Sequence, residues 1–157
     1  MGLIRLIGFL PFPLLWFLGM GSGRLVGRLA LERRQVALRN LEICLPELSP
    51  REREEIASRH FGYLGVAALT QGLVWGASRR RLARLVRIRH REGFDTLHDQ
   101  GRNIIVLLPH FIGLELGGAA FTALVHPGMF MYQKIRDPVI DAQMRAGRMR
   151  LPDVSMQ

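Results

Sequence analysis

The stretch "NIIVLLPHFIGLELGG", residues 103–118, carries the strongest fold signal in the chain. Its "IIVLL" segment is apolar at every position, which is typical of a strand covered on both faces in a parallel sheet. Pro109 and Gly113 indicate a turn after this strand, and residues 114–124 then predict a helix. A buried strand, a tight turn and a helix in this order predict an α/β fold.

Two more strands are predicted around this unit. Apolar or aromatic residues alternate with arginine over residues 86–91, which predicts a strand with one basic face, and residues 128–132 predict a third strand. Periodicity also predicts helices over residues 24–41, 94–100 and 137–150. A further helix opens at "SPRE", where Ser49 is the predicted N-cap, Pro50 the first helical residue and Glu52 the partner in a capping box.

The first part of the chain is apolar. Residues 3–20, "LIRLIGFLPFPLLWFLGM", contain one charge, Arg5, and arginines follow from residue 24 onwards. Spanning a bilayer takes ~20 apolar residues, and Pro11 and Pro13 would interrupt a spanning helix. This favours a segment lying at the membrane interface, with a true span and a secretory signal as the alternatives. We therefore predict a membrane anchor at residues 1–22 and one domain over residues 23–157.

The composition indicates an anionic partner. The chain has 157 residues, a formal net charge of +9 and 48% hydrophobic residues. Lys134 is its only lysine, so arginine supplies nearly all the positive charge, and a guanidinium suits phosphate and carboxylate. Membrane lipid, nucleic acid and an acidic protein are the candidates. The arginine-rich residues 79–91 lack interleaved aromatics, which argues against nucleic acid.

His110 and Glu115 are the candidate catalytic pair. On one ideal helix, five residues turn by roughly 500°, which would leave the two side chains ~140° apart. They can meet only if His110 lies in the turn and Glu115 on the following helix. A carboxylate that orients an imidazole leaves its other nitrogen free to take a proton from a hydroxyl. The alternative is that both residues only mark the end of a buried strand.

The sequence does not favour a metal site or a disulfide. His126, next to Pro127, is predicted to be a surface loop residue and is the nearest candidate for a third ligand. Cys44 is the sole cysteine and has no thiol partner.

Three segments, in order, resemble the bacterial lipid A biosynthesis acyltransferases. "LRNLEICLPELSPREREEI" (residues 38–56) is similar to the family's Arg-Asn-Leu and Pro-Glu-Leu-Ser segment. "HFIGLE" (110–115) is similar to its His-x4-acid motif. "MYQKIRDPVIDAQMRAGRMR" (131–150) is similar to its Tyr, Asn-Pro, Asp and Gly-Arg-x-Arg stretch.

The resemblance implies transfer of an acyl chain from acyl-acyl carrier protein to a hydroxyl of a lipid A precursor. It implies an enzyme at the cytoplasmic face of the bacterial inner membrane, in contact with anionic lipids. His110 would be the general base, Glu115 its partner, and Arg148, Tyr132 and Arg136 would bind substrate. No metal or organic cofactor is implied, because the acyl donor carries its own phosphopantetheine arm.

The implied fold is a membrane-associated helical arm followed by an α/β sandwich of the glycerolipid-acyltransferase type. Family members are about twice as long, so we expect the N-terminal half of this sandwich with its C-terminal part missing. Such a half-sheet would expose an apolar strand edge. Two alternatives stay open: an inactive, basic, membrane-associated remnant, and an acyltransferase for another glycolipid.

Overall fold

A computed structural model describes residues 9–150 and 155–156 of the chain. These residues are mostly helical with almost no strand, so the predicted α/β sandwich is not confirmed. The chain divides into two compact units, Met1–Leu73 and Val74–Gln157. The elements are α1 (Phe12–Leu29), α2 (Leu31–Cys44), α3 (Pro50–Gly76), α4 (Arg79–Leu85), α5 (Glu92–Asp99), α6 (Leu114–Leu124), β1 (Met129–Phe130), α7 (Pro138–Arg148) and β2 (Ser155–Met156).

The two prolines of the predicted anchor lie at the start of α1. Pro11 is the N-cap and Pro13 lies in the first turn, where proline is tolerated because those N–H groups have no intrahelical acceptor. Residues 1–8 of the predicted anchor lie outside the described residues. No helix within residues 9–150 is both long enough and apolar enough to cross a membrane. The predicted domain boundary after residue 22 stays a prediction.

In the first unit, α1 packs against α3 through glycines. Gly19, Gly23 and Gly27 recur every fourth residue on α1 and are buried. A Cβ atom on Gly23 would overlap the Phe61 carbonyl oxygen, and one on Gly27 would lie 2.6 Å from Phe61 Cβ. The backbones of the two helices can approach this closely only because these positions lack a side chain.

The predicted continuous helix over residues 24–41 is wrong at Ala30. This residue has a ψ of 66° and separates α1 from α2. Alanine is the strongest helix former, so no local signal predicts the break. After the break, Arg34 of α2 forms an ion pair with Glu54 of α3, a contact distant in sequence that periodicity cannot reveal.

The predicted capping box at the start of α3 is confirmed. The Ser49 N–H donates to Glu52 Oε2 at 2.7 Å, and the Glu52 N–H donates back to Ser49 Oγ at 3.3 Å. Pro50 is the first helical residue. These bonds satisfy backbone donors that the first turn of a helix leaves without partners. The hydrogen bond from the Ser49 side chain also lowers the pKa of the Glu52 carboxyl.

Two of the three predicted strands are wrong. Residues 86–91 and 103–108 form neither strand nor helix, and Ile105 and Leu107 are each 88% exposed rather than buried. A strand needs a neighbour to satisfy its backbone groups. The pairing that the structure describes is a parallel one between β1 and β2, with Met129 opposite Ser155. The third predicted strand is thus confirmed in part, as β1.

The predicted helices of the second unit are confirmed. α6 has the predicted bounds, α5 begins two residues before its predicted start, and α7 begins at Pro138. The Asp137 carboxylate caps α7 by accepting from the N–H groups of Val139 and Ile140. Helices α4 and α6 pack together, and Leu82 and Ala120 are fully buried in this unit. This packing fixes α6, the helix that carries Glu115.

Candidate active site

A cavity of about 930 Å³ lies within the second unit. This is a usual size for a small-molecule site. Most of its wall is apolar and comes from residues 104–108, α6 and the chain around β1. Three of the predicted site residues also line it: His110, Glu115 and Arg148. The cavity therefore combines an apolar wall with an imidazole, a carboxylate and a guanidinium.

The turn before α6 places His110 as predicted. His110 lies in a bend, and the chain then turns through Gly113, the N-cap of α6. A Cβ atom on Gly113 would lie 2.6 Å from the edge of the Phe111 ring, so the ring packs closely over this glycine. Glu115 follows in the first turn of α6, where the helix dipole favours a negative charge.

Glu115 and Arg148 form a two-point ion pair. Arg148 Nε donates to Glu115 Oε2 at 3.2 Å, and Nη2 donates to Oε1. The side chains are only 21% and 25% exposed, so water screens the pair weakly. Paired, parallel N–H···O bonds fix the plane of the carboxylate as well as its charge. Both residues are predicted site residues, but their contact was not predicted from the sequence.

The expected hydrogen bond between His110 and Glu115 is not among the contacts of the described residues. Within residues 9–150, the hydrogen bonds of Glu115 go to Arg148, and His110 is exposed at the cavity. A carboxylate has about four lone-pair sites, so Arg148 leaves Glu115 able to accept another bond. The structure therefore brings all three residues to one cavity, with Glu115 bonded to Arg148.

Tyr132 and Arg136, the other predicted substrate-binding residues, do not line this cavity. The Tyr132 hydroxyl accepts from Arg145 Nη1 at 3.2 Å, and the Arg145 guanidinium carbon lies 5.8 Å from the centre of the Tyr132 ring. Arg136 is exposed in the segment before α7. Their predicted roles stay predictions.

A cluster of aromatic rings forms one side of the cavity and includes His126, which lies in a loop as predicted. That residue is half-buried, and its ring centroid lies 4.5 Å from that of His98. Its Nδ1 donates to the Pro127 carbonyl at 2.5 Å. Phe94 of α5 meets Phe121 of α6 edge to face at 5.2 Å. Within residues 9–150, no three His, Cys, Asp or Glu side chains are grouped to hold a metal ion.

Two sets of contacts around α7 were not predicted from the sequence. Asp141 is 5% exposed and accepts from the Ile135 N–H at 2.9 Å, which ties the segment before α7 to that helix. Trp75 covers Gly147, and Arg150 donates to the Val74 carbonyl at 2.9 Å. Burial lowers the pKa of the Arg150 guanidinium. The "GRMR" motif, residues 147–150, was the available sequence signal for Gly147 and Arg150, but only Arg148 was predicted from it.

Known proteins align with most of this chain. Residues 1–154 match the family model described as bacterial lipid A biosynthesis acyltransferase. The chain belongs to this family. It is 34% identical to the lipid A biosynthesis lauroyltransferase of Escherichia coli K12 over 95% of this chain and 48% of that protein. It is 33% identical to the E. coli palmitoleoyltransferase over 96% of this chain and 49% of that protein.

A lipid A biosynthesis acyltransferase of Haemophilus influenzae is 35% identical over 93% of this chain and 47% of that protein. This member of the acyltransferase family therefore spans about half the length of the curated relatives it matches. No solved structure matches it significantly.

Proposed function

We propose that this chain provides the base and acid of an acyltransferase that moves a fatty acyl chain from acyl-acyl carrier protein to a hydroxyl of a lipid A precursor. The observation that carries this proposal is the cavity, where His110, Glu115 and Arg148 meet an apolar wall. Family membership supports the same reaction class.

In the proposed reaction, His110 takes the proton of the acceptor hydroxyl as its oxygen attacks the thioester carbonyl carbon. The carbonyl oxygen becomes an oxyanion, and the carbon–sulfur bond then breaks. The ester is the product, and the phosphopantetheine thiolate receives a proton from the His110 imidazolium. Glu115 orients the imidazole and stabilises its charged form. No covalent enzyme intermediate is needed.

Arg148 has donors left for the substrate. Its contacts with Glu115 use two of the five N–H groups of a guanidinium. The others suit the oxyanion or a phosphate of the acceptor. The wall formed by residues 104–108 and α6 would hold the acyl chain, because burying each CH₂ contributes about 0.8 kcal/mol.

Exposed apolar residues on α1 support attachment to the cytoplasmic face of the inner membrane. Phe17 is 74% exposed and Leu29 is 73% exposed. Arg24 and Arg28, on the same helix, would add attraction to anionic headgroups at ~1 kcal/mol each. In this proposal the helix lies in the interface and brings the cavity to a lipid acceptor.

Exposed arginines offer a docking surface for an acidic carrier protein. Arg79, Arg80 and Arg84 of α4 are exposed, as are Arg87 and Arg89 beyond it. Because α4 packs on α6, this surface adjoins the helix that carries Glu115. An acidic carrier bound there would deliver its thioester close to the cavity.

We further propose that residues 103–108 become a strand of the α/β sandwich when other strands pair with them. The segment forms neither helix nor strand, and its exposed Ile105 and Leu107 would be buried where other elements cover the faces of such a sheet. The same exposure favours a second candidate function, a membrane-associated remnant without catalysis. An acyltransferase for a different glycolipid is the other alternative.

Mass spectrometry of the glycolipids tests the proposal. The chain would be expressed in a bacterium that lacks one late acyltransferase of lipid A synthesis. Lipid A gaining the mass of one acyl chain supports the proposal. Unchanged lipid A with an altered second glycolipid favours the alternative acceptor, and no change in any glycolipid favours the remnant.

A further inference from the structure

The last turn of α7 is covered by the ring of Trp75. A Cβ atom on Gly147 would lie 2.6 Å from Trp75 Cδ1 and 2.7 Å from Trp75 Cβ. The ring therefore occupies the space that a side chain at residue 147 would need. Both residues belong to the second unit, and Gly147 directly precedes Arg148.

A second contact holds the chain just after Arg148. Arg150 Nη2 donates to the Val74 carbonyl oxygen at 2.9 Å. Val74 lies in the last turn of α3, where carbonyl groups lack intrahelical partners and the helix dipole favours a cation. That turn contains no basic residue of its own. Arg150 supplies the missing cation from elsewhere in the chain.

These two contacts flank Arg148 on both sides. Gly147 is held by Trp75 one residue before it, and Arg150 by Val74 two residues after it. The backbone from which Arg148 projects is thus fixed to residues 74–75. A long, flexible side chain can reach the two oxygens of Glu115 in one geometry more readily when its backbone is fixed.

We propose that Trp75 and Arg150 are positioning residues that hold Arg148 on Glu115. This inference rests on the proposed function for its effect on catalysis, but its structural part stands without it. Neither residue lies in the set predicted from sequence. Trp75 acts through Gly147, and Arg150 through the Val74 carbonyl; both would act on the reaction only through Arg148.

The structural test follows the Arg148 Nε–H group by ¹⁵N NMR in the full chain. Its signal is assigned from its absence in Arg148→Lys. We expect Gly147→Ala to shift this signal to that of a solvent-exposed arginine, because the new Cβ displaces the Trp75 ring. Gly93→Ala is the matched control, since Gly93 is also helical and a Cβ there meets nothing within 4 Å. An unchanged signal in Gly147→Ala would overturn the proposal.

Milder variants guard against loss of folding. Trp75→Phe keeps an aromatic ring on Gly147 and should leave the Arg148 signal in place. Trp75→Ala removes the ring and should shift this signal, while the helical circular dichroism is retained. Arg150→Met should also shift the signal, and Arg150→Lys should restore it in part. If no substitution at Trp75 or Arg150 shifts the Arg148 signal, the proposal is also overturned.

The catalytic test is a double-mutant cycle. Misplacing a catalytic group by about 1 Å can slow a reaction by about 100-fold, so Trp75→Ala should reduce kcat by up to that factor with a smaller change in KM. In the Arg148→Gln background the same change should have little further effect. Additive losses would contradict action through Arg148. If wild type transfers no acyl chain, the proposed function fails, while the NMR result still decides the positioning role.

Discussion

The Arg148 guanidinium donates hydrogen bonds to both carboxylate oxygens of Glu115, which is 33 residues away in the sequence. The pair joins the first turn of α6 to the last turn of α7 at the wall of the cavity. It fixes the orientation of the one carboxylate that lies five residues after His110. The acid proposed to assist the base is therefore itself held by a third residue.

Glu115→Gln should destabilise the second unit. The variant leaves the partly buried Arg148 guanidinium without its charged partner, which costs roughly 1–3 kcal/mol in the free energy of unfolding. Urea unfolding followed by Trp75 fluorescence in a Trp16→Phe background measures this. The control is Glu42→Gln, which breaks the exposed pair with Arg39 and should leave the midpoint unchanged. Equal midpoints for both variants would show that the Glu115 pair adds nothing to stability.

Gly23→Ala should destabilise the first unit through overpacking. The added Cβ overlaps the Phe61 carbonyl oxygen, and an oversized residue in a packed contact typically costs about 1–3 kcal/mol. Gly21→Ala is the matched control on the same helix, because a Cβ there meets nothing within 4 Å. It should stabilise the protein by up to about 1 kcal/mol through helix propensity. Thermal unfolding of both variants measures the difference, and a stabilised Gly23→Ala protein would contradict the close helix contact.

Stability should depend on pH through Glu52. Hydrogen bonds from Ser49 lower the pKa of this carboxyl in the folded state below its ordinary value of 4.5. The stabilisation is therefore present above the unfolded pKa and is lost as pH falls through the folded one. We expect the unfolding midpoint of wild type to fall more steeply below about pH 5 than that of Glu52→Gln. Glu55→Gln is the control, and parallel curves for wild type and Glu52→Gln would contradict the prediction.

Binding to vesicles should depend on the exposed side of α1. Replacing both Phe17 and Leu29 with glutamine removes two apolar side chains, each worth about 1.5–3 kcal/mol when fully buried. We expect the double variant to partition at least tenfold more weakly into vesicles of anionic phospholipid, because about 1.4 kcal/mol of binding free energy corresponds to a tenfold change in the partition constant. Co-sedimentation measures the partition. Ile43→Gln, an exposed apolar residue on α2, is the control. Equal partition of all three proteins would show that α1 does not enter the interface.

Local signals predicted the helices well. The Ser49 and Glu52 capping box and the Pro138 start of α7 are encoded within a few residues, so reading them needs no knowledge of the rest of the fold. The same holds for the turn that places His110 before α6. The break at Ala30 escaped prediction because alanine carries no helix-ending signal.

The strands and the partners of the site residues could not be predicted in the same way. An apolar run such as residues 103–108 becomes a strand only when another strand pairs with it, and that depends on distant parts of the chain. The contact of Arg148 with Glu115 likewise joins residues far apart in sequence. Sequence spacing suggested His110 as the partner of Glu115, because spacing relates only residues that are close along the chain.

Acyl transfer by the purified chain and its His110→Ala variant tests the central claim most directly. The assay supplies a labelled acyl-acyl carrier protein and a phosphorylated lipid A precursor in mixed micelles, with His60→Ala, a histidine that does not line the cavity, as the control. A general base contributes about 10²–10⁴-fold, so His110→Ala should lose at least 100-fold in rate while His60→Ala matches wild type. Transfer by His110→Ala at the wild-type rate would contradict the account.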